Sequence, residues 1–353
     1  MTNPSARYVP LEESASGGFS DVHFFNDSIL ERRVAIKYVK EQIESHRLKD
    51  EIDALMKLRS KHVVQIYDIV PSDTNGLGIV MEYIEGNDLL SIPTHLNNPQ
   101  DILKILWQIA SGIADIHAAG VIHRDIKPNN MKVDEESIVK IFDFGLARTE
   151  GENAKTTGFK GTLGFAAPEQ FRWPEATFTS AVDTYAFGAI ALFFSTTTLP
   201  KELTTCPPHP LPEGAFSGTM FEDYPRLIPL LEACFSHEPT HRPTMRKLTD
   251  EIGKYLLMGM HQALTVFDGK THILNSSSVK ATIKYNPIAA CSLQYDGLEF
   301  KITDVQGEIF INNIFIDKPT VIEGACVIAL GDQSRRGSRK FLTFDVSNPE
   351  VTL

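Results

Sequence analysis

The spacing of apolar residues changes twice along this 353-residue chain, and that change constrains the fold more than any other feature. β-type runs fill residues 8–90, helical patterns fill residues 101–258, and short alternating runs return after about residue 262. A strand alternates its faces with period 2 and a helix repeats every 3.6 residues, so one sheet or one bundle cannot accommodate all three regions. Because the length also suits two domains, we predict a mixed α and β region followed by a separate β domain.

The first region predicts a small sheet with one helix. Runs rich in β-branched residues predict strands at 34–39, 63–69 and 78–83. Between the first two runs, apolar residues from Leu48 to Leu58 recur at spacings of three and four, which is typical of a helix.

The second region is predicted to be helical. Apolar residues from Ile102 to Ile116 lie on one face of a long helix, and Gly120 marks its end. The stretch 181–199 has the length of a membrane span, but an unpaired Asp183 would be costly in lipid, so it predicts a buried core helix. Further helices are expected at 181–197, 224–235 and 244–257, with an irregular loop at 200–219.

The last region predicts a small β-sandwich. Its strand candidates recur at roughly ten-residue spacing and are separated by Asn, Asp and Gly. The six candidates lie at 272–274, 279–285, 298–302, 308–311, 326–330 and 340–344.

Charge and cysteine usage disfavour several classes of protein. Lys and Arg number 34 against 45 Asp and Glu, which gives a net charge of −11 and disfavours capture of nucleic acid or of an anionic membrane. Residues 265–353 carry 9 − 10 = −1, so −10 falls on the first 264 residues, and basic stretches are expected in a protein substrate. Four scattered cysteines without a CxxC pair indicate neither zinc nor a disulfide framework, and they favour a reducing compartment such as the cytoplasm. Residues 1–10 lack the apolar segment of a signal peptide, so a cytoplasmic location is expected.

Three blocks of residues carry the groups that phosphoryl transfer from a nucleotide requires: a cation on the phosphates, metal ligands, and a carboxylate that orients the acceptor. Lys37 lies inside an apolar strand and needs an anionic partner there, which Glu51 on the following helix can supply. The block His123-Arg-Asp-Ile-Lys-Pro-Asn-Asn130 combines two cations, a carboxylate and metal-capable amides. Asp143-Phe-Gly145 adds a second carboxylate after a strand-like run.

Together with Ala167-Pro-Glu169, these blocks make residues 8–258 resemble the eukaryotic-type (Hanks-type) serine/threonine protein kinase catalytic domain. The resemblance implies an α+β two-lobed protein kinase fold, with a small β-rich N-lobe and a helical C-lobe. It implies transfer of the γ-phosphate of ATP, with Mg²⁺ or Mn²⁺, to Ser/Thr hydroxyls of protein substrates. A dual-specificity or tyrosine kinase on the same fold and a catalytically weak kinase-like scaffold are the alternatives.

The same resemblance assigns the catalytic residues. Lys37 would contact the α- and β-phosphates and pair with Glu51. Asp125 would accept or orient the substrate hydroxyl, and Lys127 would approach the γ-phosphate. Asn130 and Asp143 would hold the magnesium ions.

The resemblance also implies a nucleotide site, in which the backbone of the segment after Met81 holds the adenine. The Gly-rich loop departs from the family pattern, because Ala15 and Ser20 stand where glycines usually let backbone N–H groups approach the phosphates. We predict weakened or altered nucleotide affinity with catalysis retained. The implied nucleotide-binding residues are Gly17, Val22, Ala35, Lys37, Glu82, Ile84 and Asp143.

Three further residues are expected to brace the fold rather than to react. By the resemblance, Asp183 would support the catalytic loop and Arg242 would form a buried ion pair with Glu169. His62 and His117 are interpreted as helix-surface or packing histidines.

The segment between Asp143 and Glu169 predicts control by phosphorylation. Thr156 and Thr157 lie beside lysines and are the candidates for activating autophosphorylation, with Arg124 as the partner of the phosphate. Thr162 is interpreted as an acceptor-loop residue.

Residues 265–353 resemble a forkhead-associated domain, a β-sandwich that binds phosphothreonine. The matching stretches are 300–304, 305–313 with its Asn312-Asn313 turn, and 323–332. The Gly-Arg pair and the Ser-x-x-His segment of that family are absent, and Glu308 stands where a small residue is usual. A basic run, Arg335, Arg336, Arg339 and Lys340, is either a solvated loop or a phosphate site.

Two interpretations of this module stay open: a divergent phosphopeptide reader, or a recognition module with another ligand. The predicted organisation is an N-terminal tail at 1–7, a kinase domain at 8–258 and a forkhead-associated-like domain at 265–353. The expected partners are protein substrates, phosphothreonine-containing ones among them, with no nucleic acid and no membrane; the oligomeric state is left open.

Overall fold

The computed structural model describes residues 7–16, 20–39, 52–72, 76–94, 98–149, 161–171, 178–347 and 349–351. Contacts divide the chain into two compact units, an N-terminal unit of residues 1–252 with Leu353 and a C-terminal unit of residues 253–352. None of the helices in the described part of the chain combines the length and apolarity that a membrane span needs.

The N-terminal unit begins with a five-stranded antiparallel sheet in the order β1-β2-β3-β5-β4. Alternation along β3 directs Val34 and Ile36 into a small core with Val80, and it places Ala35 and Lys37 on the other face. Residues 52–57 form a helical segment. The strands are β1 Tyr8–Ser16, β2 Ser20–Asp27, β3 Arg32–Val39, β4 Ile66–Ser72 and β5 Gly76–Glu82.

Two of the three strands predicted here are confirmed, and the third is displaced. The run at 63–69 was expected to be one strand, but β4 begins at Ile66. Val63 forms a bridge with Ile141, and the Val64 N–H donates to the Ile141 carbonyl at 2.9 Å. The first residues of the run therefore pair with Ile141 instead of joining the five-stranded sheet.

Helices form most of the rest of the N-terminal unit. The long helix α1 begins after Asn98, whose side chain accepts a hydrogen bond from the Gln100 N–H. α2 is buried on nearly all sides, which confirms the prediction of a core helix around Asp183. The helix predicted at 224–235 is shorter than expected, since it begins at Leu227 and ends at Ala233. Pro229 lies in its first turn, where no intrahelical N–H is needed. The helices are α1 Pro99–Ala118, α2 Ala181–Thr196, α3 Leu227–Ala233 and α4 Met245–Leu256.

Short strands position the loops that carry the motifs. They form a three-stranded sheet in the order β6-β8-β9 and a two-stranded pairing of β7 with β10. The loop 123–130 leaves β7 and ends at β8, and residues 142–147 follow β9. These strands are β6 Gly86–Asp88, β7 Val121–Ile122, β8 Met131–Asp134, β9 Val139–Ile141 and β10 Arg148–Thr149.

The C-terminal unit is β-rich, with a six-stranded sheet in the order β12-β11-β20-β19-β16-β17 and a four-stranded sheet in the order β13-β14-β15-β18. Inward residues of both sheets, such as Phe344 and Leu293, share one apolar core. The strands are β11 Ala263–Phe267, β12 Lys270–Leu274, β13 Lys280–Tyr285, β14 Ala289–Tyr295, β15 Phe300–Gly307, β16 Ile309–Ile311, β17 Ile314–Ile316, β18 Thr320–Ile322, β19 Cys326–Leu330 and β20 Lys340–Val346.

All six strands predicted in this unit are present, but four others were missed: β11, β14, β17 and β18. The unit also begins earlier than residue 265, since β11 starts at Ala263. Two of the missed strands are only three residues long, which is too short to show alternation.

Candidate active site

The centre of the candidate site is the carboxylate of Asp125, which has partners at both oxygens. The amide nitrogen of Asn130 donates to Asp125 Oδ2 at 3.0 Å and to the Asp125 carbonyl at 2.8 Å. Lys127 Nζ lies 2.8 Å from Asp125 Oδ2, and the Thr162 hydroxyl donates to Oδ1 at 2.9 Å. Lys127 Nζ also donates to Thr162 Oγ1 at 2.7 Å. The Asp125 side chain is therefore fixed in orientation by residues that the sequence places in two separate motifs.

The backbone of the loop 123–130, which the resemblance identifies as the catalytic loop, is held by Asp183 on α2. This fully buried carboxylate accepts the N–H groups of His123 at 2.9 Å and Arg124 at 2.8 Å, and it lies 2.9 Å from His117 Nε2. Burial raises the pKa of Asp183, but the His117 hydrogen bond, the His117 and His123 charges and the His123 N–H bring it below its ordinary value. Asp183 is thus an ionised brace, as expected.

The conformation of the loop depends on that brace. Arg124 has a φ of 71°, in the left-handed region that most side chains avoid. The Asp183 bond to the Arg124 N–H stabilises this conformation, and the Arg124 guanidinium lies 4.5 Å from the centroid of the Phe178 ring.

The second carboxylate, Asp143, faces Lys37. Lys37 Nζ on β3 donates to Asp143 Oδ1 at 2.9 Å, and the lysine side chain is only 8% exposed. Burial raises the pKa of Asp143, whereas the charge and hydrogen bond of Lys37 and the charge of His123 lower it, and the result lies below the ordinary value. The adjacent Phe144 is buried against the His123 ring at 4.6 Å, which ties this segment to the catalytic loop.

The segment after Met81 is positioned by the side chain of Glu82. Its carboxylate accepts Lys140 Nζ at 2.6 Å and the Gln65 N–H at 3.1 Å. The Glu82 N–H donates to the Gln65 carbonyl at 2.8 Å. The backbone group that Glu82 can offer to a nucleobase is therefore its own carbonyl. Ile84 follows two residues later and is half-buried.

The sheet residues of the predicted nucleotide site lie near one another by register. Val22 on β2 is opposite Lys37 on β3, and Ala35 on β3 is opposite Met81 on β5. Gly17 and Glu51 lie outside the described residues, as do Thr156 and Thr157. The pairing of Lys37 with Glu51 and the phosphorylation sites therefore stay predictions.

The predicted pair between Glu169 and Arg242 is present and buried. Arg242 Nη1 and Nη2 donate to the two Glu169 oxygens at 2.7 and 2.9 Å. The same guanidinium donates to the carbonyls of Ala181 and Ser236, so the pair also joins the start of α2. Such a bidentate pair fixes geometry as well as charge.

Two contacts of the site were missed from the sequence. His117 was interpreted as a surface or packing residue, yet it bonds to Asp183; its position four residues after the buried Ile113 could have placed it on the inner face of α1. Lys140 was not singled out, although a lysine within the apolar run 139–142 needs an anion as much as Lys37 does.

In the C-terminal unit, most of the predicted basic run has partners within the fold. Arg335 donates to both oxygens of Glu308 at 2.6 and 2.8 Å. Arg339 donates to the Gly331 carbonyl and to Asn313 Oδ1, and Lys340 Nζ lies 3.2 Å from an oxygen of Asp268. The hydrogen bond from Arg335 is the main reason why the pKa of Glu308 falls to about 2.

A two-lobed arrangement with these carboxylates and lysines defines a phosphotransfer enzyme fold. The family model of the protein kinase domain matches residues 8–252, and the chain belongs to that family. The two-lobed kinase fold that the sequence predicts for this region is thereby confirmed.

Similar curated proteins include bacterial serine/threonine kinases. The chain is 34% identical over 205 residues to the serine/threonine-protein kinase PrkC of Bacillus subtilis, covering 56% of this chain and 31% of PrkC. It is 33% identical over 211 residues to a probable serine/threonine-protein kinase of Clostridium acetobutylicum, covering 57% and 32%. The mitogen-activated protein kinase HOG1B of Wallemia ichthyophaga is 34% identical over 192 residues, covering 53% and 51%. The matches thus span about a third of the two bacterial relatives.

Proposed function

We propose that the protein is an ATP-dependent protein kinase that phosphorylates Ser/Thr hydroxyls of protein substrates. The observation that carries the proposal is the fixed Asp125 carboxylate, with Lys127, Asn130 and Thr162 within 3.0 Å of it. A carboxylate held in this way can orient an acceptor hydroxyl and take its proton, and Lys127 can lie beside the transferred phosphoryl group.

Asn130 and Asp143 suit Mg²⁺, which prefers oxygen ligands. The amide nitrogen of Asn130 is used by Asp125, so its amide oxygen is the atom left for a cation. Asp143 has a lowered pKa and is ionised at neutral pH. When bound, Mg²⁺ would neutralise charge on the phosphates, while Lys37 would position the α- and β-phosphates and the Glu82 carbonyl and Ile84 the adenine.

Three variants test this assignment. We expect Asp125→Asn to lower phosphate transfer to a peptide by about 10²- to 10⁴-fold while a thermal shift with Mg-ATP persists, because Asp125 acts on the acceptor. Asp143→Asn should lose both transfer and the metal-dependent part of the shift. Asp304→Asn, on the surface of the C-terminal unit, is the matched control and should change neither. Full transfer by Asp125→Asn would contradict the proposal.

The serine/threonine class is supported by the names of the relatives and by the contact of Thr162 with Asp125 and Lys127. Phosphoamino-acid analysis of the autophosphorylated protein should give phosphoserine and phosphothreonine. A predominance of phosphotyrosine would favour the alternative class.

The predicted phosphorylation sites need a separate experiment. Loss of activity in a Thr156→Ala/Thr157→Ala protein treated with phosphatase would support these two sites, and retained activity would reject them.

We also propose that the C-terminal unit is a forkhead-associated-like β-sandwich that recruits a substrate or partner through chemistry other than phosphothreonine. The carboxylate of Glu308 repels a phosphate, and Arg335 is engaged with it. Peptides containing phosphorylated and unphosphorylated Thr156/Thr157 should bind equally in a pull-down; a phosphate-dependent gain would favour the phosphopeptide reader. A cytoplasmic location remains a prediction from cysteine usage.

A further inference from the structure

The six-stranded sheet of the C-terminal unit has apolar residues on the face turned away from its core. An antiparallel sheet with one buried face normally presents polar residues on the other. Here six apolar side chains on that face are exposed by between 39% and 54%. They are Leu264, Val266, Ile273, Phe315, Val327 and Phe341.

Strand register shows that these residues share one face, because residues directly opposite in an antiparallel pair point to the same side. One row pairs Phe315 with Phe310, Phe310 with Ala329 and Ala329 with Phe341. A second row pairs Val327 with Thr343, Thr343 with Val266 and Val266 with Thr271. A third pairs Asp345 with Leu264 and Leu264 with Ile273. We call these three rows the outer face.

The two ends of the outer face carry opposite charges. Among its paired residues Asp345 is the one ionisable side chain, and it is exposed. At the other end, Arg339 lies over the rings of Phe310 and Phe341, at 5.1 and 5.2 Å from their centroids. Along β20, Phe341 and Asp345 are four residues apart, or about 13 Å.

We propose that the outer face binds the outer face of a second copy of this chain, with the two β20 strands running antiparallel across a two-fold axis. Such packing buries the apolar rows of both copies and places Arg339 of each near Asp345 of the other. The reverse orientation would set like charges together, and an acidic or basic partner would match only one end. The distribution of charge therefore favours self-association.

Sedimentation velocity on the full chain between 1 and 100 µM tests the proposal. We expect a concentration-dependent dimer. Its dissociation constant should rise at least 10-fold in Val266→Lys and in Phe341→Lys. Val321→Lys is the matched control, because Val321 is 42% exposed but lies on the four-stranded sheet. Thermal unfolding verifies that each variant is folded. A wild-type protein that stays monomeric at 100 µM, or a dimer that Val266→Lys leaves unchanged, would overturn the proposal.

A charge-exchange experiment tests the orientation. Asp345→Lys and Arg339→Glu should each weaken self-association at least 10-fold, because each homodimer then contains two repulsive contacts. An equimolar mixture of the two variants should form a heterodimer, detected by fluorescence energy transfer between labelled copies. Its dissociation constant should lie within about 3-fold of the value for the wild-type dimer. Restoration supports the antiparallel arrangement. No restoration, with both variants folded, rejects it and points to another partner for this face.

Discussion

The two units differ in where they place polar side chains. In the N-terminal unit, ionisable side chains are buried in numbers: Asp27, Lys37, His62, His123, Arg124, Lys140, Glu169, Asp183 and Arg242. In the described part of the C-terminal unit, the buried polar residues are Thr265 and Ser292, neither of them ionisable. Several of the buried charges converge on Asp125 and Asp143. Because burial of a charge costs several kcal/mol, each of these groups needs partners, and part of the set belongs to the candidate site.

Charged pairs in the C-terminal unit lie at the surface instead. Lys280 and Asp304 are 50% and 59% exposed, and Arg335 and Glu308 are 38% and 33% exposed. Exposed pairs contribute about 0–1 kcal/mol to the free energy of unfolding. Charged side chains of the N-terminal unit therefore contribute both to its stability and to the candidate site, whereas the exposed pairs of the C-terminal unit contribute little to stability. Four predictions follow, from the largest effect to the smallest.

Removal of the central brace should have the largest effect. Asp183→Ala leaves the N–H groups of His123 and Arg124 without their acceptor, so we expect a loss of about 3–5 kcal/mol in the free energy of unfolding. Phosphate transfer should also fall by at least about 100-fold, since the Asp125 loop is no longer fixed. Denaturant unfolding and peptide kinetics measure the two effects. Asp304→Asn is the exposed counterpart, because Asn tolerates the φ of 52° at this position. It should change stability by less than about 0.5 kcal/mol, and an equal effect of both variants would contradict the comparison.

Acid should unfold the N-terminal unit before the C-terminal one. The Arg7 hydrogen bond lowers the pKa of Asp27 to about 2, and the pKa values of Asp143 and Asp183 also lie below their ordinary value. A carboxyl with a depressed folded pKa stabilises the protein above about pH 4, and this contribution is lost as pH falls through the folded value. Glu308 and Asp304 of the C-terminal unit also have lowered pKa values, but they are about one-third or more exposed. Solvent screens their ion pairs, so their protonation should cost this unit less stability.

Tryptophan fluorescence distinguishes the two transitions, because both tryptophans, at 107 and 173, belong to the N-terminal unit. We expect the fluorescence transition between pH 4 and pH 2 to occur at a higher pH than the loss of hydrogen-exchange protection in the strands β11 to β20 of the C-terminal unit. Coincident transitions would show that the units do not differ in acid stability.

Loss of the Lys140 ammonium should have an intermediate effect. Lys140→Met leaves Glu82 with a largely buried, unpaired charge, and we expect a loss of about 2 kcal/mol. The melting temperature should then fall by about 4–8 °C. The matched variant is Lys280→Met, whose partner Asp304 stays solvated, and it should melt within about 2 °C of the wild type. If the two variants melt alike, burial does not distinguish these pairs.

The smallest effect should reverse its sign between the units. Thr265 is fully buried and its hydroxyl has no hydrogen-bond partner, so Thr265→Val should stabilise the C-terminal unit by about 1 kcal/mol. Thr249 on α4 is also buried, but its hydroxyl donates to the Met245 carbonyl at 2.9 Å, so Thr249→Val should destabilise by about 1 kcal/mol. Calorimetry measures both. Equal signs would remove this distinction.

The sequence predicts most of the candidate site because its residues lie in short ordered motifs. Asp125, Lys127 and Asn130 fall within one block, and their mutual contacts follow from a single tight loop. The contact between Lys37 and Asp143 joins residues 106 positions apart, and only the resemblance placed both at the phosphates.

The parts that were missed depend on tertiary packing or on weak patterns. The pairs of His117 with Asp183 and of Lys140 with Glu82 link residues 66 and 58 positions apart, and no local pattern specifies them.

The strand β14 was missed although its second half alternates: Cys291, Leu293 and Tyr295 belong to the core, and Gln294 between them is exposed. Its first half, Ala289-Ala290, has low β propensity and weakens the pattern.

The attachment of Asp125 and Lys37 to different parts of the N-terminal unit has a consequence for control. Asp125 is fixed through the loop backbone to α2, deep in the helical part, whereas Lys37 belongs to the upper sheet and reaches across to Asp143. None of the contacts described for the Asp125 side chain involves that sheet, so a displacement of the sheet would change the distance from Lys37 to Asp143 without breaking them. In the proposed function, an effector that moves the sheet would therefore change the contact of Lys37 with the nucleotide without changing the contacts of Asp125.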